Sequence, residues 1–208
     1  MLIILILWCH LHGQQQLNSR ARNVSKARHM ISTKRLNLCK LADRHREAFA
    51  VMHADAGVME DLGGPIDHRG SAEKFDRYLA ALSEQKVSRW AVENKVSEFL
   101  GYCGVMPRLD SDHPLGPHFE IGWRFRRAAW GHGYATEAAQ ASLEHAVTRL
   151  GLTSIVSYTE RTNRRSQSVM GKLGLLRDSS QDFTLHEGAR QWHLLVWTVP
   201  VPLPRVGR

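Results

Sequence analysis

Cysteine is scarce in this chain of 208 residues: Cys9, Cys39 and Cys103 stand far apart and form no CxxC pair. A disulfide-stapled scaffold and a zinc ribbon are therefore excluded, and a reducing cytoplasm is the expected compartment. A spanning helix needs about 20 apolar residues. The initial apolar run, Leu2–Trp8, is far shorter and is followed by Cys9-His10-Leu11-His12 rather than a small-residue cleavage site. No membrane partner is expected. The twelve histidines show no HExxH or other ligand spacing, so no catalytic metal is expected. Internal repeats are lacking as well.

Positive charge is plentiful, with a formal net charge of +8. Its location limits what it means. Residues 1–29 carry Arg20, Arg22, Lys26 and Arg28 and no acid, and Arg205 and Arg208 lie at the other end. The remaining stretch has 22 bases against 20 acids. A dedicated nucleic-acid face is therefore not expected. Gly13–His29 is polar and basic, and 1–29 as a whole reads as a poorly ordered leader, with Met30 a second candidate start. A domain over 30–199 and a Pro-rich tail over 200–208 complete the division.

Between those limits the hydrophobic pattern changes period. Strands are expected over 33–41, 89–93, 99–106, 118–125, 154–159, 175–183 and 192–199. Helices are expected over 43–53, 72–86 (capped by Ser71), 133–150 and 166–173, and a loop over 57–70. The order gives an α/β (α+β) protein with a mixed sheet rather than an alternating doubly wound one.

The stretch Phe119–Ala138 carries the most chemistry. A strand runs into Gly131-His132-Gly133, which opens a helix. Glycine lets the backbone turn tightly, and the free N–H groups of a helix's first turn favour an anion. A pyrophosphate is the natural guest. No lysine follows the glycines, so the P-loop motif fails, and Thr136 stands where the dinucleotide fingerprint needs a small residue.

Three segments together resemble the RimJ/RimL-type branch of the GNAT N-acetyltransferases: Thr33–Leu38, Trp130–Ala138 and Asn163–Leu175. Ala128 departs from the family's loop motif, which carries Gln or Arg there. The resemblance implies a mostly antiparallel central sheet of about seven strands with flanking helices, splayed between the fourth and fifth strands. It implies acetyl-CoA as co-substrate and a primary amine as acceptor, most often a protein N-terminal α-amine, in a monomer or homodimer. The pantetheine arm would follow Trp123, Arg124 and Phe125. Arg126, Arg127 and the loop Gly131, His132, Gly133, Tyr134, Ala135 and Thr136 would face the phosphates. Asn163 would contact the cofactor, and Ser166 would hydrogen-bond the leaving sulfur.

Glu120 is the candidate general base, with an ion pair to Arg124 as its structural alternative; His118 is a second candidate base. Cys103 reads as a buried structural thiol rather than a nucleophile. Deprotonating an α-amine at pH 7 costs about 1.4 kcal/mol against about 4.6 for lysine, which favours an α-amine acceptor. Small-molecule amines, a non-catalytic acyl-CoA sensor, and a nucleic-acid binder using the leader are the competing functions.

Overall fold

The computed structural model describes residues 29–187 and 190–203. The expected leader therefore lies almost wholly outside the described residues, as do the last five residues of the tail. Nine strands form one sheet: β1 (His29–Ser32), β2 (Leu36–Cys39), β3 (Trp90–Asn94), β4 (Phe99–Arg108), β5 (His118–Phe125), β6 (Ile155–Glu160), β7 (Leu176–Arg177), β8 (Phe183–Glu187) and β9 (Arg190–Thr198). Their order is β1-β2-β3-β4-β5-β6-β9-β7, with β8 also paired to β9. Every pairing is antiparallel except β5 with β6. The helices are α1 (Arg46–Ala54), the short α2 (Ala56–Met59), α3 (His68–Gln85), α4 (Tyr134–Leu150) and α5 (Arg164–Lys172).

The central strands are buried on both faces, and their alternation assigns each side chain to one of two cores. Val92, Cys103, Val105 and Ile121 join Ala138, Ala139, Leu143 and Ala146 of α4 and Met170 of α5. Ala91, Tyr102 and Met106 point the other way, onto Phe49, Met52, Phe75 and Tyr78 of α1 and α3. The small residues of α4 let that helix lie close to the sheet. At Gly101 a Cβ would run into the Arg124 carbonyl, so only glycine lets β4 pass β5 this closely.

The expected mixed sheet is present, but the seven expected strands become nine. Thr33 Oγ1 accepts from the Leu36 amide at 3.0 Å, and this turn trims the expected strand 33–41 to β2 and sets β1 before it. Asp178 accepts from the Ser180 amide and hydroxyl, breaking the expected strand 175–183 into β7 and β8. The expected loop 57–70 is partly helical because Asp55 caps α2, accepting from Gly57 and Val58. Asp67, not Ser71, caps α3 by accepting from the Gly70 amide at 2.8 Å.

Candidate active site

The ladder between β5 and β6 consists of Phe119↔Ile155 and Glu120↔Val156 and then stops. Beyond it the strands part, with Ser157 Oγ donating to the Ile121 carbonyl at 2.9 Å across the start of the gap. Two clefts converge here. The first, about 450 Å³, is lined by Trp123, Phe125, Gly131, Gly133–Thr136 and α5. The second, about 600 Å³, is lined by Glu120, Gly122, Tyr158 and parts of α3 and β9. Asp61, Trp123, Arg124 and Ser166 line both.

The first cleft is built around a helix N-terminus without a side-chain cap. Gly131 and Gly133 have φ of 78° and 76°, the left-handed region that glycine reaches freely. Gly133 is the N-cap of α4 and has no side chain to satisfy the first-turn amides. The first-turn residues Tyr134, Ala135 and Thr136 line the cleft, and free first-turn amides favour an anion. A network holds the loop in place. Glu137 accepts from Thr33 Oγ1 at 2.6 Å, and from the Arg35 amide at 2.9 Å. Arg35 Nη1 in turn donates to the His132 carbonyl at 2.8 Å. Burial alone would raise the Glu137 carboxyl, but Thr33 and Arg35 hold it below the usual range.

Ten of the thirteen residues expected at the cofactor line this cleft: Trp123, Arg124, Phe125, Gly131, Gly133, Tyr134, Ala135, Thr136, Asn163 and Ser166. Arg126 and His132 do not. Arg126 turns away to Glu98 at 3.2 Å and the Phe99 carbonyl at 3.0 Å. His132 is exposed, its ring stacked on Tyr134 and its carbonyl engaged by Arg35. Arg127 also lies outside the lining, 3.9 Å from Asp55. Besides Arg124, which is paired with Asp61, the cations that line the cleft come from α5: Arg164, Arg165 and Lys172. Arg165 stacks on the Trp130 ring at 4.1 Å, while Trp130 Nε1 donates to the Phe125 carbonyl at 2.9 Å.

Asp61 knits the junction together. It pairs with Arg124 at 2.6 Å and accepts from Asn163 Nδ2 at 2.6 Å. Asn163 also caps α5 by accepting from the Ser166 amide at 3.0 Å, and it donates to Ser166 Oγ at 3.1 Å. The Ser166 hydroxyl is thus held at the meeting point of the clefts.

In the second cleft, the structure corrects the expected pairing of Glu120. Its partners are Arg89 at 2.8 Å and Arg108 Nε at 2.6 Å, not Arg124. Tyr158 OH donates to it at 3.3 Å. Burial alone would raise this carboxyl, but Arg89 and then Arg108 bring it down to about 2. With one oxygen on Arg89 and the other on Arg108, this carboxylate is an ion-pair anchor whose affinity for a proton is lowered. His118 does not line either cleft, and its Nδ1 bonds the Gly116 carbonyl at 2.7 Å. Cys103 is fully buried, and burial pushes its thiol up to about 12.

Cys39, His45 and Glu93 also converge, close enough to suit a metal ion. Their hydrogens are already committed, however. His45 Nδ1 accepts from the Ala42 amide at 3.0 Å, so its proton sits on Nε2, 2.8 Å from Glu93. Arg44 Nη2 donates to the same Glu93 oxygen, Oε1, at 3.0 Å. No helix among the described residues is long and apolar enough to cross a membrane.

Two clefts sharing one polar junction suit a transferase that brings two molecules together across a parted sheet. Comparison with known proteins narrows the class. Residues 35–176 match the acetyltransferase (GNAT) domain, so the chain belongs to that family and is an acyltransferase enzyme. It is 30% identical over 151 residues to the uncharacterized protein YkkB of Bacillus subtilis, covering 72% of this chain and 86% of that one. It is 29% identical over 156 residues to the FsC-acetyl coenzyme A-N(2)-transacetylase of Aspergillus fumigatus, covering 72% of this chain and 66% of that protein. The crystal structure of an acetyltransferase from Agrobacterium tumefaciens superposes with a TM-score of 0.68 at 27% identity, over 81% of this chain and 92% of that one.

Proposed function

We propose that this protein transfers an acetyl group from acetyl-CoA directly to a primary amine, with an α-amine as the favoured nucleophile. The RimJ/RimL-like resemblance extends this to a protein N-terminus. The single observation that carries the reading is the uncapped first turn of α4, opening into a cleft that shares Ser166 with a second cleft.

In this reading the diphosphate sits on the amides of Tyr134, Ala135 and Thr136, with Arg164, Arg165 and Lys172 nearby as counter-charges. The pantetheine arm follows the Trp123–Phe125 edge of β5, where the ladder to β6 has ended. The thioester then lies at the junction. A neutral amine attacks its carbonyl carbon from the second cleft. The C–N bond forms, the C–S bond breaks, and the nitrogen loses its proton to water in that cleft. Ser166 hydrogen-bonds the departing sulfur, oriented by Asn163. Glu120 positions Arg89 and Arg108 instead of taking the proton.

Calorimetry with coenzyme A and thiol release across an amine panel test this reading. Tight binding with turnover supports it, and absence of coenzyme A binding overturns it. Binding with no turnover on any amine overturns it as well. A small-molecule acceptor draws on the transacetylase relative, whose name places its acetyl group on an N(2) nitrogen.

A further inference from the structure

The charge of the second cleft is lopsided, and two of its three acids are paired with cations. Asp61 is held by Arg124 and Asn163, and Glu120 by Arg89 and Arg108. Glu160 accepts from the Thr162 amide at 2.6 Å and from its hydroxyl. Helix α3 adds Lys74, Arg77 and Tyr78 to the lining, a spacing that puts all three on one helical face. The acids of that helix look elsewhere, Glu73 to Arg69 and Asp76 to Arg46. Among the described residues, neither Lys74 nor Arg77 has a carboxylate partner or a hydrogen bond. The cleft therefore presents two cations without a carboxylate partner against one carboxylate, Glu160, without a cation, and with Arg89, Arg108 and Arg124 its lining carries five cationic side chains to three acidic ones, an excess that favours an anion over a polycation.

We infer that the acceptor is an anionic amine, one whose carboxylate or phosphate docks against Lys74 and Arg77 while its amino nitrogen reaches the junction at Ser166. This rests on the reading above, in which the second cleft admits the acceptor. Burial pushes the Lys74 ammonium down, and Arg124, Arg77 and Arg108 push it further. A bound anion relieves that repulsion, whereas a polyamine adds to it. The volume of about 600 Å³ falls within the range of small-molecule sites.

The test measures thiol release from acetyl-CoA by the full chain with five acceptors: a free amino acid, its carboxamide, an aminoalkylphosphonate, spermidine and a peptide with an uncharged start. The anionic amines are expected to exceed the carboxamide about tenfold or more in kcat/KM, the worth of one charge-assisted hydrogen bond. The carboxylate and phosphonate arms decide which anion is preferred. Lys74→Gln and the more exposed Arg77→Gln are each expected to raise KM for the anionic amine and shrink that preference. Coenzyme A affinity, read by calorimetry, reports that each variant folds. Equal or faster turnover of the carboxamide, spermidine or the peptide overturns the inference. So does an anion preference that survives the double variant. Failure to bind coenzyme A overturns the underlying reading as well, and turnover without anion preference overturns this inference alone.

Discussion

Replacing Glu120 by glutamine removes one negative charge from between two guanidinium groups. Arg89 is the partner that matters more, since its side chain is only 4% exposed while Arg108 is 36% exposed and screened by water. Breaking a buried pair by removing one partner costs about 3–5 kcal/mol, because the other charge stays buried and unmatched. The carboxyl itself gives an independent figure. A group that titrates near 2 when folded and near its ordinary 4.5 when unfolded contributes about 3 kcal/mol. Its folded pKa is depressed, so this stability is fully present above about 4.5 and is lost as pH falls toward about 2. Urea unfolding between pH 7 and pH 3 is the assay. The wild type should lose stability below about pH 4.5. Glu120→Gln should be less stable by about 3 kcal/mol at pH 7, and its acid limb should be flatter. Activity is measured on the same samples, under conditions where both remain folded. A variant with wild-type stability and wild-type acid slope refutes the argument. If such a variant also loses about 10²-fold or more in kcat, Glu120 is the general base after all.

Three further outcomes follow from the first cleft and the core. Gly133→Ala places a Cβ at φ 76°, where the surroundings leave room but the backbone resists by about 1–2 kcal/mol; calorimetry should show weaker coenzyme A binding with the fold retained by circular dichroism. Glu137→Gln weakens the tie that holds Arg35 against the His132 carbonyl, so coenzyme A affinity should fall several-fold while thermal stability changes by about 1 kcal/mol or less; an unchanged affinity would mean that the loop holds its shape alone. Cys103→Ala should keep turnover and show no acyl-enzyme burst in either protein, because the thiol lies in the core and titrates near 12. Loss of turnover in a folded Cys103→Ala protein would point to the covalent route.

The pattern of apolar residues was enough to find most of the fold, because period 2 and period 3.6 are written locally. Helix α4 is the clearest case: its small-residue face and the glycines before it were visible as spacing alone. The misjudged boundaries are all places where one side chain captured a nearby amide. Asp67 and Asp178 did this three or fewer residues along the chain, a signal that was present but competed with other candidates such as Ser71. Gly131, Gly133, Asn163 and Ser166, which line the first cleft, stood out in the sequence because each belongs to a glycine turn or a helix start. Arg164, Arg165 and Lys172 escaped notice because their helix reads first as a polar surface.

The partners of Glu120 belong to another kind of knowledge. Arg89 precedes β3, Arg108 ends β4 and Tyr158 lies on β6, and nothing in their own neighbourhoods marks them as one cluster. The same holds for Asp61, which reaches Arg124 and Asn163 from a segment that reads as loop. The sequence by itself determined the elements, the glycine-opened helix and the family. Tertiary structure alone decided which charges meet, and therefore how strongly a carboxylate holds its charge. A periodicity is a property of neighbours along the chain, whereas a pKa is set by whatever burial and charge the folded sheet brings within a few ångströms.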